Sequence, residues 1–188
     1  MGSVSYNMNG NINKKRTLRL TYAALCLSLA VVLPFATGNN LALGNMLSLI
    51  HLPVLLCGLI CGPGYGAAVG AAAPFLRFLI VGRPPLLNAI PMAPELLVYG
   101  LVTGVLYRVF PKKAVWLFPS MLIAMILGRI AGGTVKLLLL GLGYLDSYSF
   151  RTFLTAYFVT SLPGIALQLG VIPLIILALK KGKFLPDQ

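Results

Sequence analysis

Apolar positions in this chain do not alternate with polar ones. They gather into continuous runs at Leu18–Thr37, Met46–Cys61, Gly66–Val81, Pro91–Phe110, Val115–Leu140 and Phe150–Leu179, separated by short polar or Gly/Pro-rich stretches. A half-buried strand would change polarity at every second residue, so continuous runs of this length predict helices. Crossing the ~30 Å hydrocarbon core takes roughly 20 helical residues. The pattern therefore predicts an all-α integral membrane protein with six transmembrane helices, the only open-ended element that satisfies its own backbone in lipid. The second and third runs are short and share a tight Gly62-Pro63-Gly64 turn. Residues 1–13, rich in Asn, Ser and Gly, have little to bury and are expected to be disordered. The membrane domain is expected over 14–183, with a short tail at 184–188. Lys14–Leu33 has the outline of a signal peptide, but its apolar run is too long and five more follow, which predicts an uncleaved first helix.

Composition agrees. The 188 residues are 59% hydrophobic and 10% charged, with a mean hydropathy of +0.93. A net charge of +12 suggests nucleic acid until the cations are located. Lys14, Lys15, Arg16 and Arg19 precede the first run; Arg108, Lys112 and Lys113 follow the fourth; Lys180, Lys181 and Lys183 follow the sixth. In a six-helix bundle these clusters share one side, while the opposite loops carry Arg83 and Arg151. The positive-inside rule then makes both termini cytoplasmic, and the basic surplus is a topology signal.

Charges inside the runs are few: Arg77, Arg129, Lys136 and Glu95. A charge near the bilayer centre costs about 3 kcal/mol on insertion scales, so each is a candidate for function. With termini inside, all four fall in the outer halves of their helices, as does His51. Each has a structural alternative. Arg77 and Lys136 can snorkel to the interface, Arg129 can pair with Glu95, and His51 can satisfy a helix end. Glu95, following Pro94, is expected in the first turn of the fourth helix, where a carboxylate complements the dipole. Counting Arg83 in the loop, four cations against one carboxylate favour an anionic ligand carrying a carboxylate or phosphate. Tyr99, Asn40, Asn45 and Asn88 offer neutral hydrogen bonds, as do Thr155 and Gln168 from the sixth run, which Pro163 and Gly164 are expected to kink.

Gly62, Gly66 and Gly70 recur at every fourth position and make a smooth stripe that another helix can approach closely, from this chain or from another membrane subunit. Cys57 and Cys61 share a face, but with His51 the lone histidine they read as buried small hydrophobes rather than metal ligands. The acids Glu95, Asp146 and Asp187 are scattered, no Ser-His-Asp arrangement can be assembled, and no Gly-x-x-x-x-Gly-Lys-Ser/Thr loop occurs. The expectation is a protein that is not an enzyme, with neither metal nor cofactor.

The stretch from His51 to Gly70, followed by Arg83-Pro84-Pro85-Leu86, Met92-Ala93-Pro94-Glu95-Leu96 and Tyr99 to Tyr107, resembles the substrate-binding S components of energy-coupling factor (ECF) vitamin importers. The resemblance implies a six-helix S component of a prokaryotic plasma membrane with its binding site near the outer surface. It implies partnership with the transmembrane coupling subunit EcfT and, through it, two cytoplasmic ATPases that hydrolyse the ATP. The family's Ala-x-x-x-Ala face on the first helix is matched by Ala24-x-x-x-Ser28, and with the Gly62/Gly66/Gly70 stripe it makes the expected interface with the coupling subunit. Toppling of the S component in the bilayer is implied as the delivery step. The cationic surplus points to a small anionic vitamin such as pantothenate, with pyridoxine-type vitamers and cobalamin as alternatives. The competing reading is a stand-alone secondary transporter or channel using Glu95 and Arg129, against which six spans without an inverted repeat are few.

Overall fold

A computed structural model describes residues 2–37, 41–111, 114–144, 149, 151, 154–155 and 159–182, with the side chains of 2–14, 41, 42, 45 and 114 left aside. The regular structure in these residues is helical. Helix α1 (Gly2–Val32) runs into a 3-10 turn at Leu33–Thr37. It is followed by α2 (Leu41–Leu47), α3 (His51–Cys61), α4 (Pro63–Val81) and α5 (Leu86–Val109). A 3-10 turn at Ala114–Trp116 leads into α6 (Leu117–Gly141), and α7 (Leu162–Lys181) follows. Five segments are long and apolar enough to cross a membrane, and α3 is a sixth, shorter apolar helix. Leu79, Val115, Val109, Leu142 and Leu174 are each more than two-thirds exposed. Such an apolar exterior is what lipid covers, and the chain is a multi-pass membrane protein.

Several boundaries differ from the sequence expectation. The α1 backbone begins at Gly2, inside the segment expected to lack structure. The second run is not one helix: it breaks at Ser48, whose φ of 46° is left-handed, leaving α2 on one side and α3 on the other. Glu95 is not in a first turn. Helix α5 starts at Leu86 and passes through Pro91 and Pro94, because neighbouring helices can meet the backbone groups that proline strands. Pro163 sits in the first turn of α7, after the Ser161 N-cap, where its missing N–H is harmless; among the described residues the sixth run is interrupted by a turn at Thr160 and Ser161, just before it. Asn40, Lys112, Lys113, Asp146, Tyr148, Lys183 and Asp187 lie outside the described residues.

Glycine sets the spacing of the central helices. Along the antiparallel α4–α5 seam a Cβ on Gly66 would come within 2.7 Å of the Gly100 carbonyl oxygen, and one on Gly104 within 2.6 Å of Pro63 N. Gly70 lies against the backbone of Leu96, and Gly58 of α3 against Gly100. Backbones this close gain dense dispersion contact that no larger residue allows. Every residue of α3 is buried among α1, α4, α5 and α7. Helix α1 docks through Ala23, Cys26 and Ala30, an i, i+3, i+7 line. Cys26, Cys57 and Cys61 are buried free thiols that meet in this α1–α3 seam.

The helix ends sort by charge. Arg19 lies within electrostatic reach of Cys61, the Arg108 guanidinium crosses Gly62, and Lys180 Nζ sits 5.6 Å from the centre of the Tyr107 ring. The start of the apolar part of α1, the α3–α4 turn and the ends of α5 and α7 thus form one basic end of the bundle, as the charge clusters in the sequence predict.

Candidate functional site

Helix α3 is short. Its 11 residues rise about 16 Å, roughly half of the ~30 Å hydrocarbon core. Starting from the basic end, it stops at His51 inside the bundle. What faces its terminus is polar. Glu95 and Tyr99 project from α5, one turn apart, and Arg129 is the middle residue of α6 (Leu117–Gly141). All four side chains are buried: His51 7%, Glu95 6%, Tyr99 1% and Arg129 6% exposed.

They form a continuous chain of contacts. Arg129 Nε donates to the Tyr99 hydroxyl at 3.1 Å, and that hydroxyl donates to Glu95 Oε1 at 3.3 Å. His51 Nε2 faces the same oxygen at 3.5 Å, and its ring tilts against Tyr99 with centroids 5.2 Å apart. A carbonyl only accepts, so His51 Nδ1, 3.1 Å from the Ser48 carbonyl oxygen, carries its proton there. The His51–Glu95 contact is an ion pair only when Nε2 carries a proton as well. The Ser48 carbonyl also accepts the His51 backbone N–H at 3.0 Å and Gln168 Nε2 of α7 at 3.3 Å. The left-handed turn at Ser48 is therefore not idle strain: it aims one carbonyl at three donors from α3 and α7.

Glycines in α6 admit the α5 side chains. Gly128 lies under the Tyr99 ring, and a Cβ there would also stand 2.8 Å from the Glu95 carbonyl oxygen. One turn on, a Cβ at Gly132 would meet the Glu95 Cβ and Oε2, each at 3.0 Å. A larger residue at Gly128 would displace the Tyr99 ring, and one at Gly132 would press on Glu95 and the Pro91 carbonyl. The Gly128/Gly132 pair escaped the sequence reading, although its i, i+4 spacing beside a buried arginine was the signal. So did Ser48.

The remaining expected residues are spread more widely. Lys136, half-buried on α6, lies within electrostatic reach of Glu95. Arg77, near the far end of α4, and Arg83, in the loop after it, feel one another's charge and are not in the polar chain's contacts. Asn88 is exposed in the first turn of α5. Asn45 falls in α2, its side chain outside the described set, and Asn40 is outside altogether. Gln168 joins the cluster, whereas Thr155 is exposed and donates to the Arg151 carbonyl at 2.8 Å. Ala24 and Ser28 are exposed on α1, with the serine hydroxyl folded back onto the Ala24 carbonyl at 3.0 Å. Gly62, Gly66 and Gly70, grouped above with that face, are instead buried against Arg108, Gly100 and Leu96 of α5; their small size serves packing within the chain.

A buried chain of ionisable groups, ended by a half-length helix and built on two α6 glycines, is a concentrated polar cluster inside an otherwise apolar bundle. Comparison with curated proteins and with solved structures finds no match. Residues 18–176 match the family model described as the ECF transporter, substrate-specific component, and the chain belongs to that family.

Proposed function

We propose that this chain captures a small anionic vitamin on the outer side of a prokaryotic plasma membrane, in the hollow where α3 ends. The observation that carries this reading is the His51–Glu95–Tyr99–Arg129 chain of contacts. Two α6 cations, Arg129 and Lys136, face a single carboxylate, Glu95, and Asp146 and Asp187 are the only other acids in the sequence. An oxyanion on the ligand balances that surplus, and a guanidinium is the group best shaped to hold it. Pantothenate, a small carboxylate, fits this charge better than pyridoxine-type vitamers or the much larger cobalamin.

The cationic clusters at the basic end support a cytoplasmic location for it by the positive-inside rule, which turns the open hollow outward. Arg77, Arg83 and Asn88 then lie toward the mouth. The exposed Ala24/Ser28 face of α1 is the surface we assign to EcfT, which in turn engages two ATPases. Delivery follows by toppling of the whole bundle. With no phosphate-binding loop of its own, the chain takes its energy from those partners.

Mass spectrometry of ligand released from the purified, unfolded protein tests the substrate, and co-purification with an EcfT-like subunit and two ATPases tests the assembly. A retained carboxylate- or phosphate-bearing vitamin is expected. A neutral or cationic ligand held at equimolar ratio overturns the anion assignment.

A further inference from the structure

The polar chain of contacts leaves the far end of the α4–α5 seam unexplained. Pro63 meets Gly104, Gly66 meets Gly100 and Gly70 meets Leu96 along this seam, so its register is antiparallel. Continuing past Gly70 on the same face of α4 comes Ala73, fully buried, and then Arg77 at i+4. The register sets position 77 level with position 89, where α5 carries a fully buried alanine. An arginine thus ends a line of glycine and alanine on a packing face. Its Nε is buried and has no hydrogen-bond partner, an arrangement that costs free energy unless an acceptor comes from outside the chain.

Arg83, two residues beyond the last residue of α4, brings a second guanidinium whose charge bears on Arg77. Like charges repel, so an anion placed between the two guanidinium groups relieves them both. By the α4–α5 register, Arg77 lies seven residues beyond Gly70, which is level with Leu96. That is about 10 Å along the helix from the height of Glu95. The pair therefore sits shallower than the polar chain, next to Leu79 and Ile80, which are 78% and 65% exposed toward lipid.

We propose that Arg77 and Arg83 form a second binding site, at the end of the α4–α5 seam opposite the basic end, for a phosphate- or carboxylate-class oxyanion. The site is independent of which vitamin the bundle carries. Two sources share this chemistry: the headgroup of an anionic lipid lying against Leu79 and Ile80, and a free anion arriving from the aqueous side. Both present oxygens that a guanidinium receives in a forked geometry.

The thermal-unfolding midpoint of the purified full chain separates them. One arm adds inorganic phosphate, against chloride at equal ionic strength, to protein in neutral detergent. The other compares nanodiscs of phosphatidylglycerol with nanodiscs of phosphatidylcholine. Wild-type protein is expected to be stabilised by phosphate, by phosphatidylglycerol, or by both, and the responding arm names the source. Arg77→Gln and Arg83→Gln should each weaken the response by about tenfold in apparent affinity, the loss of one charge-assisted contact. Arg83→Gln, in a loop, keeps the test usable if Arg77→Gln does not fold. A response lost in Arg129→Ala but kept in both Arg77→Gln and Arg83→Gln would place the anion in the polar chain and overturn a second site. Stabilisation by neither anion, or variants that respond as wild type does, would also overturn it.

Discussion

Replacing Arg129 with alanine separates a ligand contact from a structural one. The change removes a charged donor 3.1 Å from the Tyr99 hydroxyl, a contact class worth about 1.5–3 kcal/mol. Tyr99 keeps its own bond to Glu95, so the polar chain is shortened rather than cut. If the guanidinium also holds the ligand's oxyanion, a further ~2–5 kcal/mol of binding is lost. Even the lower figure corresponds to about a 30-fold rise in Kd. Arg129→Lys should recover part of this, since an ammonium restores the charge without the fork. Tyr99→Phe supplies the control: it breaks the link to Glu95 but leaves both charges. If Arg129 serves mainly to neutralise Glu95 through that hydroxyl, Tyr99→Phe and Arg129→Ala should both lower the unfolding midpoint strongly. Glu95→Gln should then rescue the Arg129→Ala protein. Ligand titration by calorimetry, with thermal unfolding on the same samples, reads both quantities. A well-folded Arg129→Ala protein with unchanged affinity would refute the role given to Arg129.

The α6 glycines make a graded pair. Gly132→Ala meets the Glu95 Cβ and Oε2 at 3.0 Å and the Pro91 carbonyl oxygen at 3.1 Å and should lower affinity with a smaller stability change. Gly128→Ala drives a methyl into the Tyr99 ring and should destabilise by about 1–3 kcal/mol, outweighing the ~1 kcal/mol of helix propensity gained; equal unfolding midpoints would contradict this. Ala24→Trp or Ser28→Trp, on the exposed face of α1, should abolish uptake and EcfT association while vitamin binding by the isolated chain persists, and parallel loss of binding would show that the face packs inward. Cysteines placed at positions 112 and 183, in a background cleared of Cys26, Cys57 and Cys61, should resist membrane-impermeant labelling of intact cells. Those at 83 and 148 should label, and the reverse pattern would invert the topology.

Much of this was legible in the sequence because lipid imposes a simple pattern. The apolar runs located the helices, the Gly62-Pro63-Gly64 turn appeared where it was read, and the clustering of cations at one end followed from their positions after even-numbered runs. Shared depth grouped His51, Glu95 and Arg129 with Arg77 and Lys136, whereas Tyr99, which links Arg129 to Glu95, was named only as a neutral hydrogen-bonding group. What the sequence hid was geometry set by neighbours. Prolines that signal a start in water occupy the interior of α5, because packed helices shield the gaps they leave. The break at Ser48 carried no glycine to announce it; three donors converging on one carbonyl stabilise a turn that local preference opposes. The stripe at Gly66 and Gly70 had two possible partners, and spacing alone could not choose α5 over a foreign helix.

The half-length helix has an electrical consequence. From Leu52 to Cys61 every residue of α3 is apolar; its Val54, Leu55 and Leu59 are fully buried, as are Leu117, Met121 and Ile176 of the same core. This half of the bundle is an apolar plug beneath the buried polar chain of His51, Glu95, Tyr99 and Arg129. A membrane at 100 mV drives each elementary charge with about 2.3 kcal/mol. Stripping an ion of water to pass such a plug costs several times that. A cell can therefore display many idle copies without short-circuiting the potential on which its other transporters run.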